Sequence, residues 1–157
     1  RELRTSLEKA GLTHLVEFQT NISREEKQRF LRSLSLLSVP AEATEAFGLY
    51  IVEALACGVP VVAPDHAAFP EILEQTGGGL LYDPDTPASL GTTLRDALGD
   101  PTALHDLGQV GRKRVCEAFG AEHMAARVMA VFEAHVNTKP SERDKSEPAM
   151  LKRPSSL

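Results

Sequence analysis

The stretch EAFGLYIVEALACGVPVVA, residues 45–63, decides the fold, because it predicts a helix followed directly by a buried strand. Apolar residues recur at helical spacing over about residues 48–57, and Gly58 ends the pattern. Residues 59–63 form an apolar run of the kind found in strands that are covered on both faces. A helix that leads into such a strand is typical of a parallel α/β sheet.

Two carboxylates flank the start of this helix. Glu45 lies just before it and Glu53 lies on its second turn, about 7 to 8 Å further along at ~1.5 Å per residue. The first turn of a helix exposes unpaired N–H groups and the positive end of the dipole, and Gly48 lets an anion approach the backbone closely. The pattern suits an elongated ligand with phosphate and hydroxyl groups. A glutamate near a helix start is also common as a solvated surface charge. The flanking sequence therefore has to distinguish a ligand-binding pair from ordinary surface charges.

Strand and helix signals alternate along the chain, which predicts an α/β fold with a parallel sheet covered by helices on both faces. Ser23 is the expected cap of the first helix after the first strand. The predicted strands are residues 15–18, 34–39, 59–63 and 80–82. The predicted helices are residues 24–32, 48–57, 69–74, one opened by Thr86 and Pro87, one started by Asp100 and Pro101, and residues 121–135.

The composition favours a small enzyme domain over a binder of polyanions. Seventeen Lys and Arg against 22 Asp and Glu give a net charge of −5, which disfavours nucleic acid and anionic membranes as partners. No apolar run approaches the ~20 residues of a transmembrane segment. The two cysteines, Cys57 and Cys116, do not suggest a disulfide framework, so we expect a reduced, cytoplasmic setting.

Residues 45–63 resemble, almost position for position, the Glu-x7-Glu motif of retaining glycosyltransferases with the GT-B fold, of the family-four or group 1 type. The resemblance continues into AFPEI at residues 68–72 and GGGLL at residues 77–81, and it covers about residues 15–136. It implies a Rossmann-like C-terminal domain that binds a nucleotide sugar. We therefore expect residues 1–137 to be such a domain, truncated on its N-terminal side, and the polar residues 138–157 to be a disordered tail.

The same resemblance assigns the site residues. It implies that Glu45 is the catalytic residue that contacts hydroxyls of the donor sugar near the reacting carbon. Backbone N–H groups of Phe47, Gly48 and Leu49 would hold sugar and phosphate oxygens, and Glu53 would accept the ribose hydroxyls. The implied reaction transfers the glycosyl group to an acceptor hydroxyl with retained configuration. No metal or other cofactor is expected, because the helix start would stabilise the departing diphosphate and no residue cluster has metal-ligand spacing.

One departure from the family pattern concerns the residues before the motif. Family members commonly have a short Pro-Ser segment there, whereas Pro40 is followed here by Ala41 and by Glu42. Glu42 is an alternative sugar-facing carboxylate. We prefer Glu45 because Phe47 and Gly48 fix the register of the motif.

His66 is a further residue of interest, since it follows the strand of residues 59–63 at the carboxyl edge of the sheet. Ligands bind at this edge in open α/β folds. A single loop histidine is, however, more often a surface residue. The sequence therefore leaves both roles open for His66.

The expected partners are a nucleotide sugar and an N-terminal acceptor domain. The resemblance places the acceptor site, and a basic pair that neutralises the leaving diphosphate, in parts that this chain lacks. We therefore expect the chain alone to expose an apolar strand edge and to transfer no sugar. Two other functions remain open: a non-catalytic nucleotide-binding or interaction module, and a nucleotide-sugar epimerase of the same shape. An epimerase needs acid and base groups in both domains, and the clean Glu-x7-Glu block argues against it.

Overall fold

The computed structural model describes residues 2–41 and 47–136, so the tail predicted for residues 138–157 lies outside the described residues. The described residues form seven α-helices and three β-strands, besides a 3₁₀ turn at Thr13–Leu15. The elements in chain order are α1 (Glu2–Lys9), α2 (Arg24–Ser33), β1 (Leu37–Ser38), α3 (Leu49–Ala56), β2 (Val61–Pro64), α4 (Phe69–Thr76), β3 (Gly79–Tyr82), α5 (Ser89–Gly99), α6 (Pro101–Ala118) and α7 (Ala121–Val136).

The three strands form one parallel sheet in the order β1-β2-β3. β2 lies in the middle and is buried along its whole length, and its Val61 is in register with Leu37 on one side and Gly79 on the other. α3 connects β1 to β2 and α4 connects β2 to β3, as parallel pairing requires. The predicted α/β class, a Rossmann-like parallel sheet with helices on both faces, is confirmed.

The core forms around β2 and the helices that contact it. α3 contributes Ile51, Ala54 and Leu55, which recur at helical spacing and are completely buried. α4 contributes Phe69, which is also completely buried. The helix and the buried strand predicted from residues 45–63 are therefore both confirmed. The helix is one residue shorter than predicted at each end.

α6 crosses the ends of α3 and α4 at a very short distance. Gly108 lies against the carbonyl group of Gly58, and Gly111 lies against the Cα atom of Gly78. A Cβ atom at Gly108 or Gly111 would overlap backbone atoms of the neighbouring segment. Glycine is required at this crossing because the backbones themselves are in contact.

Side-chain caps confirm two of the predicted helix starts. At the start of α2, the Oγ atom of Ser23 accepts from the N–H of Glu26 at 3.2 Å, and the N–H of Ser23 donates to Oε2 of Glu26 at 2.7 Å. This reciprocal pair is a capping box. The pKa of the Glu26 carboxyl is held below its ordinary value, because the N–H of Ser23 and, to a smaller extent, its hydroxyl group stabilise the carboxylate. At the start of α6, Asp100 accepts from the N–H of Ala103 at 2.9 Å.

The strand predicted for residues 15–18 is wrong. The chain forms a 3₁₀ turn at Thr13–Leu15, and Val16 is extended without belonging to a strand. Leu15 is 70% exposed and Phe18 is 40% exposed, so these apolar residues do not join the core. A strand exists only where a neighbour accepts its hydrogen bonds, and none of the three described strands pairs with this segment.

Two other predicted boundaries also change. The strand predicted for residues 34–39 is reduced to Leu37–Ser38, which are the residues in register with Val61 and Val62 of β2. The helix predicted to open at Thr86 begins instead at Ser89. Thr86 is held in the preceding turn, where its hydroxyl group donates to the carboxylate of Asp83 at 2.6 Å. This bond lowers the pKa of Asp83 from its ordinary value, together with the N–H of Asp85.

Candidate functional site

The start of α3 depends on the backbone of Gly48. This residue is buried and has the left-handed conformation, with φ +69° and ψ +48°, that side chains disfavour. Gly48 has no side chain with which to cap α3, and no cap bond is made by the residues that the structure describes. The neighbours of Gly48 are exposed: Phe47 has 47% of its surface accessible and Leu49 has 65%. Within the described part of the chain, the N-terminus of α3 therefore has no side-chain cap, and the dipole of the helix favours an anion there.

Glu53 lies on the same helix, and α2 supplies its partner. The Nζ atom of Lys27 donates to Oε1 of Glu53 at 2.7 Å, and the two side chains are 42% and 43% exposed. Oε2 of Glu53 makes no bond to the residues that the structure describes. Lys27 therefore fixes the orientation of the carboxylate and leaves one oxygen as an open acceptor.

A surface cavity of about 230 Å³ contains this pair, and α2 and α3 form its walls. Its lining combines one carboxylate with three cations and a thiol, and consists of Arg24, Lys27, Gln28, Leu31, Arg32, Glu53, Ala56 and Cys57. Such a lining can hold a polar ligand that offers hydroxyl groups to Glu53 and electron-rich groups to the cations.

The sequence did not reveal the role of Lys27. Residues 24, 27, 28 and 31 have the spacing of one helix face, and that was the only available signal. The spacing does not say which neighbour the face meets, since Lys27 and Glu53 are 26 residues apart. Only the packing of α2 beside α3 joins them.

The predicted site residues fall into two groups. Phe47, Gly48, Leu49 and Glu53 lie on or directly before α3, so the structure brings these predicted donor-binding residues together on one element. The predicted catalytic residue, Glu45, lies outside the described residues, as does the alternative, Glu42. Their assignment stays a prediction.

Hydrogen bonds join the segments that follow the three strands at the carboxyl edge of the sheet. The hydroxyl group of Tyr82, at the end of β3, donates to the carbonyl oxygen of Val39 at 3.3 Å. The N–H of Asp65, just after β2, donates to the carbonyl oxygen of Tyr82 at 2.8 Å. The Nε2 atom of His66 is 3.2 Å from the carbonyl oxygen of Ala41. These bonds position the end of the β1 segment, from which the chain continues toward α3.

The described part of the chain has neither a metal-binding cluster nor a helix that could span a membrane. Residues 2–41 and 47–136 contain no group of three or more His, Cys, Asp or Glu side chains that could hold a metal ion. Within the same ranges, no helix combines the length and the apolar content that crossing a membrane requires. Cys57 is half-buried and Cys116 is exposed, and both are free thiols.

Comparison with known sequences gives a family match over most of the chain. Residues 1–114 match the family described as "Glycosyl transferases group 1". A D-inositol 3-phosphate glycosyltransferase of Jonesia denitrificans is 32% identical over 142 residues, which is 87% of this chain and 33% of that protein. The chain therefore spans about a third of the length of this relative.

Solved structures show the same fold. Sucrose-phosphate synthase of Thermosynechococcus elongatus is 27% identical with a TM-score of 0.77, over 88% of this chain and 35% of that one. The C-terminal domain of the group 1 glycosyltransferase LpcC of Francisella tularensis is 26% identical with a TM-score of 0.67, over 76% and 62%. Anabaena Alr3699/HepE, solved with UDP-glucose, is 22% identical with a TM-score of 0.75, over 85% and 36%. The chain belongs to the group 1 glycosyltransferases and has the fold of their C-terminal domain.

Proposed function

We propose that this chain binds the nucleotide-sugar donor of a retaining glycosyltransferase, with α3 as the element that recognises the donor. The observation that carries the proposal is the pairing of an oriented carboxylate at Glu53 with a helix start at Gly48 that no described side chain caps. The two lie five residues apart on one helix, which separates them by about 7.5 Å along the axis. This spacing suits a ligand in which a diphosphate is joined to a ribose.

Each part of the donor has a matching group. The helix start, where the backbone of Phe47, Gly48 and Leu49 lies, would hold diphosphate and sugar oxygens. Oε2 of Glu53 would accept from a ribose hydroxyl while Lys27 holds Oε1. Glu45, four residues after Ala41 in sequence, would contact the hydroxyls of the donor sugar.

The geometry would also assist the chemical step. When the bond between the anomeric carbon and the diphosphate breaks, negative charge grows on the leaving oxygen. The dipole of α3 favours this charge, and the carboxylate of Glu45 would face the oxocarbenium-like sugar. An acceptor hydroxyl would then attack from the face of the departing diphosphate and give its proton to that diphosphate, so that the new glycosidic bond retains the configuration. Proton NMR of the product anomer from the complete enzyme tests this retention.

The first experiment is calorimetric titration of the chain with UDP, GDP and ADP. We expect one of them to bind, and Glu53→Ala to weaken it about ten-fold, near 1.4 kcal/mol. Glu74→Ala is the matched control, because Glu74 is an exposed glutamate on α4 outside the cavity, and it should leave the affinity unchanged. Equal effects of the two substitutions would contradict a ribose role for Glu53.

A ligand lacking the ribose hydroxyls makes this test sharper. The 2′,3′-dideoxy form of the nucleotide that binds should bind more weakly than its parent, and Glu53→Ala should weaken the dideoxy form no further. Non-additivity of this kind identifies a direct contact. If both changes add fully, Glu53 acts at a distance from the ribose and the proposed orientation of the donor is wrong.

Two further measurements concern the cofactor and turnover. We propose that no divalent metal is needed, so EDTA should not change the affinity for the nucleotide. Binding without glycosyl transfer, even after the acceptor domain is supplied, would favour the reading of the chain as a non-catalytic nucleotide-binding module. Transfer that is restored by the added domain would instead support the enzymatic function.

A further inference from the structure

The side chains of Lys27 and Glu53 face the same cavity with bonding capacity left over. The Nζ atom of Lys27 donates to Oε1 of Glu53 at 2.7 Å, and both residues line the cavity between α2 and α3. An ammonium group has three donors, and a carboxylate has two acceptor oxygens. Within residues 2–41 and 47–136, neither charged group bonds to any other residue. The two side chains therefore offer free N–H donors and one free carboxylate oxygen, side by side, to a ligand in the cavity.

The fold holds the backbones of both residues in place. The N–H of Lys27 donates to the carbonyl oxygen of Ser23 at 2.9 Å, directly behind the capping box of α2. Leu31 lies one turn further along α2 on the same face and is buried in the core. On α3, Glu53 directly precedes Ala54, which is completely buried. The helix cap and the core therefore determine where the ammonium group and the carboxylate meet.

The ion pair between Lys27 and Glu53 adds little to the stability of the fold. Its two side chains are 42% and 43% exposed, so water screens the attraction between them. α2 is attached to the core by Leu31 in any case. What the pair provides is a hydrogen-bond donor placed beside an acceptor, and this arrangement matters only to a ligand that can use both.

The ribose of a nucleotide is such a ligand. Its two neighbouring hydroxyl groups can each donate one hydrogen bond and accept others. A carboxylate alone can only accept, and an ammonium group alone can only donate. When the two groups lie side by side, one hydroxyl can donate to Oε2 of Glu53 while the other accepts from Nζ of Lys27. Both of these bonds have a charged partner, which strengthens them.

We propose that Lys27 is a second contact of the donor's ribose and that it helps to select ribonucleotides: Nζ donates to one hydroxyl while Oε2 of Glu53 accepts from the other. This inference rests on the proposed function, in which Glu53 binds the ribose. It goes further because Lys27 then touches the ligand itself. A lysine that only orients Glu53 would act on the ribose indirectly, and the two roles predict different affinities.

The first test is calorimetric titration with the one of UDP, GDP and ADP that binds, and with its 2′,3′-dideoxy form. Lys27→Met keeps most of the aliphatic side chain and removes the donors. We expect it to weaken the parent nucleotide about five-fold, the effect of one hydrogen bond, and to leave the affinity for the dideoxy form unchanged. Arg29→Met is the control, because it removes the same charge from α2 outside the cavity, and it should change neither affinity. An equal loss for the parent and the dideoxy form would overturn the proposal, since the loss would then come from charge alone.

A second variant separates direct contact from orientation of the carboxylate. In a Glu53→Ala background there is no carboxylate left to orient. Lys27→Met should still weaken the parent nucleotide in that background by at least about two-fold, because its own bond to the ribose is lost. If Lys27→Met has no effect once Glu53 is replaced, Lys27 acts only through Glu53 and the proposed contact is refuted.

The ammonium group can also be observed directly by NMR of the isotope-labelled chain. The resonance of the Lys27 Nζ atom is assigned by its loss in Lys27→Arg. We expect the parent nucleotide to shift this resonance and the dideoxy form to leave it near its position in the free chain. Equal shifts with the two nucleotides would contradict a bond from Nζ to the ribose.

The outcomes separate this inference from the proposed function. If Glu53→Ala weakens the parent nucleotide and Lys27→Met does not, the donor site stands and the contact by Lys27 is refuted. If Lys27→Met weakens only the parent nucleotide and Glu53→Ala has no effect, the contact by Lys27 stands and the proposed role of Glu53 is wrong. If none of the three nucleotides binds, both are refuted.

Discussion

The central strand β2 buries its apolar residues, whereas α7, the last described helix, exposes them. All four residues of β2 are buried, and α3 beside it buries three of its eight residues. α7 has 16 residues and buries none of them. Its large exposed apolar side chains are Met124, Val128, Met129, Val131, Phe132 and Val136. Apolar content therefore does not decide burial here. The decisive factor is whether another element of the described chain lies beside the apolar face.

This difference matters for function because the candidate site lies on the densely packed part. Gly48 and Glu53 belong to α3, whose buried face contacts β2 and α6. Their positions are therefore set by the core, which opens only with the whole fold. α7 has no comparable support, so we expect it to contribute little to the free energy of unfolding. The predictions below test this contrast, from the largest expected effect to the smallest.

The largest effect is expected for Leu55→Ala. Leu55 is completely buried and lies at the crossing where Gly78 and Gly111 meet, so its loss leaves a cavity that rigid backbones cannot fill. We expect a loss of about 3 kcal/mol in urea-induced unfolding, whereas Phe132→Ala on α7 should change it by less than about 0.5 kcal/mol. Similar losses for the two variants would show that α7 is part of the cooperative core.

A pair of glycine substitutions should differ in sign. Gly108→Ala places a Cβ atom against the carbonyl group of Gly58, so α6 must shift away from α3, at a cost of about 1 to 3 kcal/mol. Gly91→Ala, on the exposed side of α5, meets no atom within 4 Å and should stabilise the chain by about 0.5 to 1 kcal/mol. Thermal unfolding of both variants provides the comparison. Stabilisation by Gly108→Ala would mean that the two helices are not in close contact.

The same contrast explains which features the sequence could predict. The helix and strand of residues 45–63 were predicted correctly because their patterns are local and their burial agrees with their period. The caps at Ser23 and Asp100 were also predictable, since each bonds to a residue three positions away. The strand predicted for residues 15–18 was wrong because a strand depends on a partner that no local pattern supplies.

In the candidate site, too, the sequence predicts local features but not contacts between distant residues. The predicted donor-binding residues on α3 follow from a contiguous motif, and the structure places them on one helix. The bond between Lys27 and Glu53 and the bond between His66 and Ala41 each join residues about 25 positions apart. Neither residue type nor spacing in the sequence specifies such a partner. Side-chain contacts between elements therefore had to come from the structure.

A smaller effect is expected at the cap of α2, the helix that carries Lys27. α2 buries only Leu31, so local bonds matter more to it than to α3. Ser23→Ala removes the side-chain bond to the N–H of Glu26 and should destabilise the chain by about 1 kcal/mol. Ser23→Asp keeps a capping acceptor and should restore most of the loss. If Ser23→Ala has no effect in urea-induced unfolding, α2 is held by contacts other than its cap.

The smallest effect is an acid sensitivity that comes from Glu26. Its pKa is lowered in the folded chain, first by the bond from the N–H of Ser23 and then by the Ser23 hydroxyl group. Because the folded pKa is below the ordinary value of 4.5, the carboxylate stabilises the fold above that value and loses this contribution as the pH falls through the folded pKa. Glu26→Gln keeps the capping geometry but cannot titrate. Its unfolding free energy should therefore fall less than that of the unsubstituted chain between pH 5 and pH 3. Glu25→Gln, at an exposed neighbour on α2, should leave the slope unchanged. An equal slope for Glu26→Gln and the unsubstituted chain would show that the capping box does not persist in solution, and that α2 is held by Leu31 and by the bond from Lys27 to Glu53 rather than by its cap.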